Sequence, residues 1–114
     1  MTEEDFKKLE SRIYAFSVDV FSFVKTLIDN GLASEYSRML LDTSNQLYST
    51  FIDVFDSAGE YNRIVVKRCE QLSDSCSDYL TRIEVGKKYL NEKVDLTIES
   101  KEIGRRLGVY SINN

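Results

Sequence analysis

A chain of 114 residues is the length of one ordinary domain, and residues 1–114 are expected to fold around a single core. Its 42% hydrophobic and 30% charged residues are those of a soluble globular protein, and no apolar run approaches the roughly 20 residues of a membrane span. The net charge is −4, and the absence of histidine removes the commonest general base and transition-metal ligand, which argues against an enzyme or a metalloprotein. From Phe6 to Leu27 the residues Phe6, Leu9, Ile13, Phe16, Val20, Phe23 and Leu27 recur at alternating steps of 3 and 4, the seam of a helix packed lengthwise on others. Thr2 followed by Asp5 is an N-cap signature and Asn30-Gly31 a terminator, which predicts a first helix over about residues 3–29.

A second seam follows in Tyr36, Leu40, Thr43, Leu47, Phe51, Val54 and Ala58, on a helix capped by Ser34 and running to about 57. Ala58-Gly59-Glu60 makes a short break. The third seam, Val65, Cys69, Leu72, Cys76, Tyr79, Ile83, Gly86 and Leu90, predicts a helix over about 60–90. A loop at Asn91 then leads to a fourth helix over about 94–111, with sparse apolar positions at Leu96, Ile103, Leu107 and Tyr110 and propensity lowered by Gly104 and Gly108. It is expected to be short or frayed. Proline is absent, so nothing kinks these rods internally. Short connections make neighbours antiparallel, so the fold class is all-α, an antiparallel up-and-down four-helix bundle.

Cys69 and Cys76 are seven residues apart on one helix, about 10.5 Å along its axis, beyond the roughly 7 Å a disulfide tolerates. The interval also misses metal-ligand spacing, so both are read as small core residues. There is no glycine-rich phosphate loop and no nucleophile with a base, and the i, i+4 pair Asp74 and Asp78 reads as surface acids. No cofactor or metal is expected, and the chain is read as noncatalytic.

Helices 1 and 2 carry a second apolar stripe beside the seam: Tyr14, Phe21, Val24 and Ile28 on the first, and Leu41, Tyr48, Ile52 and Phe55 on the second. A small bundle needs one apolar face per helix, so this stripe is either a wide core surface or a subunit interface, with the interface favoured. Charge is uneven along the chain. Residues 2–30 carry −2, residues 31–59 −3, residues 60–91 +1 and residues 92–114 zero. Arg63, Lys67 and Arg68 cluster at the start of helix 3 and Arg105-Arg106 lie in helix 4, a candidate phosphate-binding set. Acids share those helices, so the competing reading is a solvated, salt-bridged face. The acidic start Glu3-Glu4-Asp5 is unlike a secretory signal, which points to a cytoplasmic protein.

The run Arg12-Ile13-Tyr14-Ala15-Phe16-Ser17-Val18-Asp19-Val20-Phe21-Ser22-Phe23-Val24-Lys25-Thr26-Leu27, then Tyr36, Leu40-Leu41 and Ser44-Asn45, and Glu102-Ile103-Gly104-Arg105-Arg106-Leu107, resembles the bacterial four-helix-bundle family first noticed in intervening sequences of 23S rRNA genes. The closing segment is similar to that of the accessory variability protein of diversity-generating retroelements. The resemblance implies a ring-like homopentamer and, in the retroelement branch, a basic surface that binds a reverse transcriptase and its template RNA. Helix 2 departs from the family's basic pattern with Asp42-Thr43-Ser44-Asn45-Gln46. The functional expectation is a homo-oligomeric accessory subunit to a nucleic-acid enzyme, the alternative a protein-interaction scaffold with no nucleic-acid role.

Overall fold

The computed structural model describes residues 1–111 as four helices, α1 (Glu3–Asp29), α2 (Glu35–Phe51), α3 (Arg63–Arg82) and α4 (Lys87–Ser111), in an envelope of 47 × 23 × 21 Å. Each helix packs on its neighbours in the order α1, α2, α3, α4, and α4 closes back on α1; the two diagonal pairs keep their Cα atoms more than 8 Å apart. No helix among the described residues is long and apolar enough to cross a membrane.

Helix α1 begins and ends where its local chemistry predicts. The backbone N–H of Thr2 donates to Asp5 Oδ2 and that of Asp5 to Thr2 Oγ1, each at 3.0 Å, a reciprocal box that satisfies two of the helix's orphan donors. At the other end Gly31 takes φ +68°, and the N–H groups of Gly31 and Leu32 return to the carbonyls of Ile28 and Leu27, a left-handed closure that glycine permits. Leu9, Ile13, Phe16, Val20, Phe23 and Leu27 of the first seam are buried, and Phe6 stacks on Phe51 at 5.1 Å.

Four boundaries differ from the periodicity. Helix α2 stops at Phe51, six residues short of the expected end, because Asp56 organises a tight turn: its Oδ1 accepts the N–H groups of Ala58 and Glu60 at 2.8 and 3.0 Å, and Gly59 sits at φ +80°. A single antiparallel bridge joins Phe55 to Tyr61, and Asn62, whose Oδ1 accepts from Ile64 and Val65, starts α3 three residues later than expected. Helix α3 then ends at Arg82, not near Leu90, since Ile83 turns extended (ψ 117°) while keeping its side chain in the core. Consequently α4 starts at Lys87 and runs 25 residues, longer than α3 and in no sense short.

The small residues of α4 set how closely it packs on α3. Gly104 lies against α3 so closely that a Cβ there would stand 3.3 Å from Ser73 Oγ, and the buried Ser73 hydroxyl donates to the Ser100 carbonyl across the two helices. Ser77 and Ser100 hydroxyls also bond each other, so the polar groups that weaken an isolated helix are all satisfied within this seam. On α3 the buried face is accordingly rotated from the expected one: Val66, Ser73, Ser77 and Leu80 join Cys69, Leu72 and Cys76, whereas Val65 and Tyr79 lie half-buried at its edge.

Candidate functional site

The apolar stripe divides on folding. Val24 belongs to the core of the monomer and is not part of the outer surface, while Leu41, Tyr48 and Phe55 are half-buried against that core. Tyr14, Phe21, Ile28 and Ile52, in contrast, are 44–57% exposed. Val18 joins them, and its position was legible: 14, 18, 21, 25 and 28 recur at steps of 4 and 3, a second seam on the outside of the same helix. The rings of Tyr14 and Tyr48 meet at 5.4 Å, so the exposed surface straddles α1 and α2. Five such side chains on one side offer on the order of 400 Å², the scale of a binding patch on a monomer.

The cations form two separate groups. Arg63, Lys67 and Arg68 line one groove with Ile64, Gln71 and Ser111, while Arg105 and Arg106 line another, between α1 and α4, with Lys8, Arg12, Asp5 and Tyr110. Glu102 holds both arginines of the second group. Arg105 donates from Nη2 at 2.6 Å and from Nε at 2.9 Å, Arg106 from Nε at 3.0 Å, and this pairing lowers the Glu102 carboxyl to about 2. In the first group Lys67 Nζ donates to Glu70 Oε1 at 2.7 Å and Arg63 lies 5.9 Å over the Tyr61 ring, while Arg68 makes no ion pair among the described residues. A phosphate would therefore compete with Glu102 at one groove and with Glu70 at the other.

In the second groove Arg12 bridges α1 to α4 through a two-pronged bond to Glu99, Nε to Oε2 at 2.9 Å and Nη2 to Oε1 at 2.8 Å. It closes the bundle. Both cysteines are buried free thiols, raised to about 12 by desolvation, and no cluster of metal-ligating side chains occurs among the described residues. Asp78 is tied to Arg82 at 3.2 Å, and both it and Asp74 are exposed. Comparison with known proteins returns no match: no family model, no curated protein and no solved structure resembles the chain closely enough to identify it.

Proposed function

We propose that this chain is a noncatalytic cytoplasmic subunit that acts by assembling with copies of itself, its four helices running up and down in turn. The observation that carries the assembly is the exposed run Tyr14, Val18, Phe21 and Ile28 on α1, continued by Ile52 after α2. Large apolar side chains at seam spacing on the solvent side cost solubility unless a partner covers them. The up-and-down order is supported by contacts between opposite helix ends: Phe6 near the start of α1 on Phe51 at the end of α2, and Asp5 at the start of α1 sharing a groove with Tyr110 at the end of α4. A ring-like pentamer is what the intervening-sequence resemblance adds. Light scattering tests the assembly: the wild-type chain gives a multi-copy mass, and Phe21→Asp or Ile28→Asp, at exposed positions, lowers it while far-UV helicity is kept. A wild-type monomer at high protein concentration overturns the reading.

A second reading, an accessory subunit that binds RNA or a reverse transcriptase, is favoured by one observation: Arg63, Lys67 and Arg68 share a groove, which symmetric assembly would repeat around a ring. Lys67→Glu with Arg68→Glu then weakens RNA binding and flattens its salt dependence. If the chain captures a protein partner insensitive to nuclease and no RNA at low salt, the scaffold role stands instead.

A further inference from the structure

The bundle carries a second exposed apolar strip, on the outer side of α4. Positions 87, 90, 94, 98, 101, 105 and 109 follow one another at steps of 3, 4, 4, 3, 4 and 4, a single helical stripe the length of α4, and all seven are exposed. Leu90, Val94, Ile98 and Val109 are 45–62% exposed, the other three positions are Lys87, Lys101 and Arg105, and no acid falls on the stripe.

Its placement is what matters. Val94, Ile98 and Lys101 line a groove with Thr81 of α3, so the central part of this strip lies on the α3/α4 side, with Arg105 and Val109 at its far end bordering α1, while the Tyr14 to Tyr48 contact sets the first patch on the α1/α2 side. Because the helices adjoin only in the cycle α1, α2, α3, α4, those two sides are opposite. Charge differs between them in the same sense. Residues 2–59 hold five bases and ten acids, a net of −5, and residues 60–114 hold ten bases and nine acids, a net of +1. Beside the α1/α2 patch, Glu10 and Asp42 make no ion pair among the described residues; Lys7 and Lys25 are tied to Glu3 and Asp29, and Arg38 is one unpaired base among these acids. On the α4 strip Lys87 and Lys101 make none, while Arg105 is held by Glu102.

We propose that the α4 strip docks on the α1/α2 face of a second copy of this chain, so that the subunits join head to tail. This rests on the assembly reading and specifies its geometry. A two-fold contact uses one patch against itself and would leave the opposite apolar face uncovered; a head-to-tail contact buries both faces in every copy and sets lysines of one subunit against acids of the next. At about 400 Å² of apolar surface on each partner it supplies the apolar half of a standard interface of roughly 800 Å² per side.

Mixing distinguishes this from every two-fold arrangement. Phe21→Asp disables the α1/α2 face and Val94→Glu with Ile98→Glu disables the α4 strip, all at exposed positions where circular dichroism verifies the fold. Alone, each variant is expected at single-chain mass; mixed one to one, they form a particle of two chains and no larger, because one intact face of each kind remains. Should the α4 variant lose helicity, Lys87→Glu with Lys101→Glu replaces it, with assembly weakened at least tenfold and restored by Glu10→Lys with Asp42→Lys. An α4 variant that keeps the wild-type mass, or a mixture that stays single-chain, overturns the head-to-tail contact while leaving assembly intact. The same holds if the α4 variant assembles normally but loses binding to phosphatidylserine vesicles, which would make the strip a membrane-surface face. A wild-type monomer removes the assembly reading itself.

Discussion

Phe16 and Phe21 stand five residues apart on α1, and the bundle treats them oppositely: Phe16 is 1% exposed inside the core and Phe21 is 57% exposed. Replacing Phe16 by alanine withdraws on the order of 100–150 Å² of apolar surface from the core, about 3 kcal/mol at 25 cal/mol per Å². The cavity left between helices raises the expected cost to about 3–5 kcal/mol. For a chain of this length that is a fall of roughly 12–20 °C in Tm. Phe21→Ala removes a ring that is less than half buried, so the fold should lose about 1 kcal/mol, and the larger effect should fall on assembly. Urea unfolding of both variants at low protein concentration separates the two, since subunit association otherwise adds to apparent stability. Similar losses for the pair, or less than about 1.5 kcal/mol for Phe16→Ala, would mean that the inner and outer seams of α1 are wrongly distinguished.

The Glu102 carboxyl, held near 2 by Arg105 and Arg106 in place of its ordinary 4.5, should titrate far below other glutamates by NMR, and Arg105→Gln should raise it. Because the folded value is depressed, the pairing stabilises above pH 4.5 and its contribution disappears as pH falls from 4.5 toward 2. Cys69 and Cys76, raised to about 12 by burial, should stay unmodified by a thiol reagent near pH 8 in the native protein and react only when it unfolds. A double-mutant cycle of Arg12→Ala and Glu99→Ala should give a coupling of about 1 kcal/mol that shrinks with salt, as both side chains are about one-third exposed (33% and 31%). Gly59→Ala, at φ +80° with open space around it, should cost about 1 kcal/mol through backbone strain alone, measurable by thermal melting.

Much of this architecture is legible in the residues themselves. The alternation of 3 and 4 steps identifies three rods without strands and sparser apolar positions mark a fourth, and the Thr2–Asp5 box, the Gly31 terminator and the Ser34 cap place α1 and the start of α2, because each is a local hydrogen-bonding device that needs no distant partner. The outer stripe of α1 is legible on the same terms, although periodicity alone cannot say that Val24 turns inward and Phe21 outward. That depends on where α2 and α4 lie.

Tertiary packing decided the rest. Ile83, Gly86 and Leu90 keep seam spacing straight across the α3/α4 break, so the pattern carries no sign of it; only in the folded chain does Ile83 stay buried while Leu90 faces solvent on the next helix. Ser100 and Gly104 weaken α4 by propensity, yet opposite Ser73 and Ser77 they let two helices approach closely and satisfy one another's hydroxyls. Charge behaves likewise: Arg105 and Arg106 look free in the chain but converge on Glu102, and Arg12 finds Glu99 from 87 residues away. Local chemistry therefore determined where α1 and α2 begin and that the apolar faces must be covered, while the three-dimensional arrangement chose which residues cover them, since close approach and ion pairing between distant segments exist only once the helices are packed.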